Sequence, residues 1–245
     1  MTKTDVNKFE IPSASLIICA SKDVLRTAMP ASGLDVSEID FNDDSCDYLV
    51  CMQQRSARSS FMADALVFPG GALEPEDRQI GRLLKGEPSI AALKVCGVRE
   101  TFEESGLCLL AGAHEHTFPS LSDALEWRHR VHEDAKQFEE LLNRRGPLSI
   151  NPDDLHLMCR FVTPELEAQR GGKGFDAWFF VANLTAPQLQ ASLAVGSDRK
   201  ETSSFVWKSP SQALAMHARG EAFLVQFNYP VLGRERTHTD SQHLG

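Results

Sequence analysis

Val98-Arg-Glu-Thr-Phe-Glu-Glu-Ser-Gly-Leu107 is the stretch on which the reading of this chain turns. It closes a helical pattern that runs from about Ser89 to Ser105, with Gly106 placed to stop the helix. With Glu100 at zero on a helical wheel, Glu103 falls at about −60° and Glu104 at about +40°. Ala91, Val95, Val98 and Phe102 fall between about 160° and 220°. The expectation is a helix that docks its apolar stripe on a sheet and aims three acids into a cleft. Like charges at these spacings repel by a few tenths of a kcal/mol per pair, a cost that bound cations would offset. Hard divalent ions such as Mg²⁺ or Mn²⁺ prefer carboxylate and carbonyl oxygens. A solvated acidic helix face carries the same bare E-x-x-E-E, so the pattern alone leaves both readings open.

Upstream, Phe68-Pro69-Gly70-Gly71 follows a short strand pattern, Ala65–Phe68. Two glycines there permit a turn with exposed carbonyls and close approach of a ligand. Further strands are expected over residues 14–20, 48–55, 107–113, 155–162, 175–184 and 205–208. Helices are expected over residues 76–85 and 121–145. A final helix should follow Ser209-Pro-Ser-Gln212, a capping box with proline at the first helical position. A glycine-rich loop, Gly171-Gly172-Lys173-Gly174, separates two of the strands. No internal repeat or low-complexity linker interrupts the pattern. The irregular mixture of elements predicts a single α+β domain, with helices packed on a mixed β-sheet.

Composition narrows the function. The chain has 245 residues, against roughly 150 for a typical domain. Hydrophobic residues make up 42% and charged residues 24%, which excludes disordered and fibrous classes. Lys plus Arg number 25 and Asp plus Glu 34, a net charge of −9 that argues against a nucleic-acid partner. Any phosphate contact is expected to run through divalent cations. The longest apolar runs, Leu107–Ala113 and Ala177–Ala182, fall short of the roughly 18 residues of a membrane span. Ala14–Ala20 is preceded by Asp5 and Glu10 rather than by basic residues, so it reads as a first strand and not as a leader. The last residues, His243-Leu244-Gly245, are not a Ser-Lys-Leu-type peroxisomal address. Six cysteines without a C-x-x-C pair read as free thiols of a reducing compartment, and the cytosol is the expected location.

Taken with Arg99-Glu100-x-x-Glu103-Glu104-x-Gly106-Leu107, the Gly70-Gly71 pair resembles the Nudix box of the Nudix hydrolases, G-x5-E-x7-R-E-U-x-E-E-x-G-U, with U aliphatic. The second half matches apart from Thr101 at an aliphatic position. Six residues on from Gly71 stands Asp77 in place of Glu, and the arginine falls at 99 rather than 85, an insertion of about 14 residues. The chain further resembles the fatty acyl-coenzyme A diphosphatase branch of that superfamily. The matching stretches are Arg55-Ser-Ala-Arg58, Ala65-Leu-Val-Phe-Pro-Gly-Gly71, Glu126-Trp-Arg-His-Arg-Val-His132, Arg160-Phe-Val-Thr-Pro164, Phe175-Asp-Ala-Trp-Phe-Phe180, Ser209-Pro-Ser-Gln-Ala-Leu214 and His217-Ala-Arg-Gly220. The resemblance spans about 14–225. It implies one Nudix domain with insertions near 78–91 and 119–150 and a tail over 231–245. The coenzyme A signature L-L-T-x-R-S is only partly present, in Leu49-Val-Cys-Met-Gln-Gln-Arg55-Ser56.

What the resemblance implies is metal-dependent hydrolysis of the diphosphate in coenzyme A or acyl-coenzyme A. The products would be adenosine 3′,5′-bisphosphate and (acyl-)4′-phosphopantetheine. Two alternatives stay open: another nucleoside diphosphate substrate such as ADP-ribose or NADH, and a silent scaffold that only binds. In this reading Glu100, Glu103, Glu104 and the Gly70 carbonyl hold Mg²⁺ or Mn²⁺, and either Glu100 or Glu104 takes the proton of the attacking water. Arg99 orients the acidic cluster. Arg55 and Arg58 are candidates for gripping phosphate, with a solvated loop as the alternative. Glu201, six residues before Trp207, stands where family members often carry an acid and is a candidate substrate-binding residue, with a surface acid at a strand end as the alternative; Ser204 replaces another such acid. His129 and His132 are spaced i, i+3 with Glu133 following, which is not H-E-x-x-H, so no metal site is expected of them. For the 121–145 segment two readings stand, a wall of an acyl or pantetheine cleft and a plain structural cap, and the cap is the expected one. Trp178, Phe179 and Phe180 are expected in the core. A small nucleotide-derived substrate is the only partner implied; the oligomeric state stays open.

Overall fold

The computed structural model describes residues 10–32, 39–55, 65–144, 149–164, 174–192 and 202–224. Its centre is β1 (Glu10–Ser21), whose residues 16–20 are all buried. A strand buried on both faces needs ladders on both edges. It pairs in parallel with β6 (Gly174–Asn183) and antiparallel with β2 (Tyr48–Arg55) and β4 (Gly70–Ala72). Outward from these lie β5 (Leu155–Val162) on β6, and β3 (Ala65–Val67) and β7 (Thr202–Lys208) on β2. The two-residue β8 (Phe223–Leu224) runs parallel to β3. The result is one mixed, eight-stranded sheet flanked by helices, the expected α+β arrangement.

One face of the sheet carries α1 (Lys22–Ser32), α2 (Pro75–Gly81), α3 (Pro88–Ser105), α4 (Leu121–Glu133) and α5 (Lys136–Arg144) around the larger core. The other face packs a second cluster, including Ile17, Met52, Phe68 and Phe179, against Ala213 of the Pro210–Ala218 helix. That helix starts as expected: Ser209 accepts from the Gln212 N–H, and Gln212 returns the bond. A further short helix, Ala186–Ala191, opens with a Thr185–Gln188 capping box that the sequence reading passed over. It also passed over α1.

Three expectations need correction. Leu107–Ala113 is not a strand. Its apolar run is buried, but the backbone is satisfied by side chains rather than by a ladder. Leu107 N–H bonds Ser105 Oγ, Cys108 N–H bonds Ser192 Oγ at 2.9 Å, and only Ala111 forms a bridge, to Ser149. The helix expected over 121–145 is two helices. Asp134 adopts extended backbone (φ −152°) and its carboxylate accepts from the Lys136 N–H, which ends α4. Arg130 then clasps α5 through Gln137 and Glu140 while lying over the Trp127 ring.

The third correction concerns how α3 sits. Gly97, at about +60° on the wheel, faces the sheet: a Cβ there would lie 2.7 Å from Leu16 Cδ2. The sheet therefore meets α3 beside its carboxylate edge. The apolar stripe is buried instead in the core that α4 and α5 complete, where Phe102 stacks on Phe118 at 5.9 Å. The stripe has its own covering layer, which frees the glycine side to approach the strands.

Candidate active site

The site grows from α3, whose start is set by Glu87 accepting from the Ser89 and Ile90 N–H groups. Its end is set by Gly106 in the left-handed region at φ 75°. Within that span Arg99 is the hub, buried at 3% exposure. Its Nε and Nη2 reach the two oxygens of Asp77, both at 2.9 Å. Nη1 donates to Glu103 Oε1 at 2.6 Å and lies 3.0 Å from Glu100 Oε1, and Nη2 also reaches the Ala72 carbonyl. Burial opposes the guanidinium charge, but the bonds to Asp77 and the charges of Glu100, Asp77 and Glu103 outweigh it, holding Arg99 above its ordinary pKa. Asp77 is fully buried in α2 and also accepts from the Glu74 N–H, so the residue that departs from the box motif keeps the arginine-pairing position filled.

Glu104 projects the other way. Its Oε2 accepts from the Gly70 N–H at 2.8 Å and from Gln53 Nε2 at 3.0 Å. Burial pushes its carboxyl up to about 8, with the Glu100 charge adding and Gly70, Gln53 and Arg55 opposing. Glu100 is pushed up to about 7, again mainly by burial, with Arg99 opposing and Glu103 adding. Glu103 is also raised by burial against the pull of Arg99. Burial and mutual repulsion outweigh the guanidinium charges that act on Glu100, Glu103 and Glu104, and the crowded negative charge is what an added cation would neutralise.

Gly70 and Gly71 form β4 rather than an open turn. Gly71 stands opposite Ala14, and Gly70 opposite Ser15. A Cβ on Gly70 would meet the Ala14 carbonyl oxygen at 2.3 Å, and one on Gly71 the Glu100 carboxyl carbon at 2.5 Å. Only glycine lets the strand and the carboxylates share this space. The structure engages the Gly70 N–H with Glu104.

Among the described residues, no three acidic, histidine or cysteine side chains converge into a ready metal cage. Glu103 turns to Arg99, Glu104 to Gly70 and Gln53, and Glu100 to Arg99. The donor chemistry nonetheless fits a hard divalent ion: oxygen donors, crowded together and short of positive charge.

The structure thus brings together Arg99, Glu100, Glu103, Glu104 and Gly70. It places Arg55 at the end of β2, where its charge acts on Glu104. Arg58 and Glu201 lie outside the described residues. Phe179 and Phe180 are core residues, and Trp178 is half-buried beneath the Arg160 guanidinium. Sequence reasoning missed three contributors. Gln53 was findable, since it shares a face of β2 with Arg55 by strand alternation. His132 Nδ1 lies 3.7 Å from Glu103 Oε2, and Arg128 bonds the backbone of α3; neither carries a local signal that names its partner.

A mixed sheet carrying a helix of this composition over a glycine strand defines a Nudix-type hydrolase domain. The chain belongs to the NUDT19 Nudix domain family, which it matches over residues 83–232. It is 30% identical over 231 residues to the acyl-coenzyme A diphosphatase NUDT19 of Gallus gallus, covering 73% of this chain and 58% of that protein. The Homo sapiens protein of the same name is 26% identical over 260 residues, covering 86% of this chain and 64% of its own length. The chain therefore spans less than two thirds of either relative. Among solved structures, a Nudix hydrolase from Alicyclobacillus acidocaldarius has the same fold, with a TM-score of 0.66 at 21% identity, covering 91% of this chain and 89% of that one.

Proposed function

We propose that the protein hydrolyses the diphosphate of coenzyme A or acyl-coenzyme A, releasing adenosine 3′,5′-bisphosphate and (acyl-)4′-phosphopantetheine. The observation that carries this reading is the gathering of Glu100, Glu103 and Glu104 against the Gly70–Gly71 strand, with Arg99 held among their side chains. The names of the NUDT19 relatives support the substrate class.

In this reading Glu100, Glu103, Glu104 and the Gly70 carbonyl hold Mg²⁺ or Mn²⁺. Such an ion supplies charge neutralisation of the diphosphate and acidifies bound water. The chain's own residues do the rest. Arg99, locked by Asp77, fixes the rotamers of Glu100 and Glu103. Gln53 and the Gly70 N–H hold Glu104 by Oε2, and its Oε1 takes the proton of the attacking water. The water oxygen joins one phosphorus, and the bridging oxygen leaves with the other. Arg55 draws the anionic substrate toward the cluster, and Arg58 is proposed to share in gripping its phosphates. Glu201 is proposed as a further acid of the same site.

The test is product analysis by chromatography and mass spectrometry. The protein is incubated with Mg²⁺ or Mn²⁺ and, separately, with coenzyme A, a medium-chain acyl-coenzyme A, ADP-ribose and NADH. Adenosine 3′,5′-bisphosphate from the first two, absent with Glu104→Gln, is the expected result. Turnover of ADP-ribose or NADH alone keeps the mechanism and changes the substrate. No turnover with either metal replaces this reading with a binding scaffold.

A further inference from the structure

Glu103 and Glu104 stand in the last turn of α3, where backbone carbonyls have no partner within the helix. Gly106 ends the helix just beyond them. Two of the open carbonyls are filled from another element. Arg128 of α4, itself buried, donates from Nε to the Glu103 carbonyl at 2.7 Å and from Nη2 to the Glu104 carbonyl. A planar guanidinium can serve two adjacent carbonyls at once, which a single ammonium does less well. The positive charge also lies at the negative end of the helix. Arg128 is presented from a braced segment: Trp127 and Val131 bury the same helix, and Arg130 ties it to α5.

The side chains of these two glutamates diverge by about 100°, Glu103 toward Arg99 and Glu104 toward Gly70. A rotation of the last turn would move both carboxylates relative to Glu100. Building on the hydrolase reading, we infer that Arg128 is a positioning residue: the inserted helix α4 holds, through this one side chain, the backbone angle that sets the spacing of the ion-binding carboxylates. The insertion is then a working part of the site and not only a cover.

Three variants test this. Arg128→Met removes the fork, Arg128→Lys keeps the charge and one donor group, and Arg130→Met loosens α4 from α5 without touching α3. Mn²⁺ affinity is measured without substrate by electron paramagnetic resonance, and kcat and KM for an acyl-coenzyme A with saturating metal. Urea unfolding reports stability. Arg128→Met is expected to weaken Mn²⁺ binding about tenfold or more, the size seen when an outer partner of a metal ligand is removed. Its kcat should fall with little change in KM, and Arg128→Lys should recover part of both losses. Arg130→Met should lose stability yet keep its Mn²⁺ affinity. If Arg128→Met, or Arg128→Lys should the former not fold, binds Mn²⁺ as the unaltered protein does, the inference fails. It fails equally if Arg130→Met weakens Mn²⁺ binding as much. An unaltered protein that binds no Mn²⁺ and cleaves nothing overturns the hydrolase reading itself. One that does both while the Arg128 variants match it overturns only this inference.

Discussion

Asp77 and Arg99, 22 positions apart in the chain, close a bidentate ion pair with both side chains out of solvent. It joins α2 to α3 across the residues that separate them in the chain. The shorter aspartate still reaches both Nε and Nη2 of the guanidinium, at 2.9 Å each.

Removing that partner should be costly. Asp77→Ala leaves a buried guanidinium with only Glu100, Glu103 and one carbonyl, and breaking a buried pair typically costs about 3 to 5 kcal/mol. Urea denaturation at pH 7 checks this; a loss under about 1 kcal/mol would mean that the other partners fully replace the aspartate.

Glu104→Gln keeps the shape and removes the proton acceptor. A general base contributes about 10²- to 10⁴-fold to the rate, so kcat should fall within or beyond that range while circular dichroism stays unchanged. Activity within a few-fold of the unaltered enzyme would take Glu104 out of the reaction.

The raised carboxyls link pH to stability when no metal is bound. Glu104 and Glu100 are pushed up to about 8 and about 7 in the folded chain, above the ordinary glutamate value of 4.5. Between those limits the folded state holds protons that the unfolded state has released, so stability present below pH 4.5 is lost as pH rises toward 8. Unfolding in a chelator from pH 5 to pH 8 should show this decline, shallower in Glu104→Gln. Added Mg²⁺ should restore most at the high end, because it competes with protons for the same oxygens. A flat profile in chelator would contradict the charge surplus.

Two glycine substitutions should separate function from stability. A Cβ at Gly71 meets the end of a flexible side chain, Glu100, whereas one at Gly97 meets Leu16 in the core. Gly71→Ala should therefore fold nearly as well but lose about tenfold or more in kcat, the scale expected when a reacting group is displaced. Gly97→Ala should cost about 1 to 3 kcal/mol of stability by overpacking. Thermal melts and kinetics on both proteins decide it; the reverse pattern would misplace the Glu100 carboxylate.

Thr101 occupies an aliphatic position of the box motif and is fully buried, with its Oγ1 lacking a hydrogen-bond partner among the described residues. Thr101→Val is nearly isosteric and removes that unsatisfied group, so it should stabilise by about 1 kcal/mol. A lower melting temperature would show that the hydroxyl has a partner.

Much of the site was legible because its information is local. The 100° step of a helix puts Glu100, Glu103 and Glu104 on one arc whatever surrounds them. Gly106 and the Ser209–Gln212 capping box mark helix ends through backbone groups a few residues away. The Leu107–Ala113 misreading shows the limit: a buried apolar run looks the same whether its backbone bonds a ladder or the hydroxyls of Ser105 and Ser192.

Sequence alone, then, determined the carboxylate-bearing helix, its stop, the glycine pair and the α+β class, since each rests on interactions within a few residues. Tertiary structure decided the partners. It chose Asp77 for Arg99, the Gly70 N–H and Gln53 for Glu104, Gly97 rather than the apolar stripe as the face toward the sheet, and Arg128 for the carbonyls that end α3. Those choices depend on which distant segments the mixed sheet and its covering helices bring within about 3 Å of one another, a condition that no short window of residues contains.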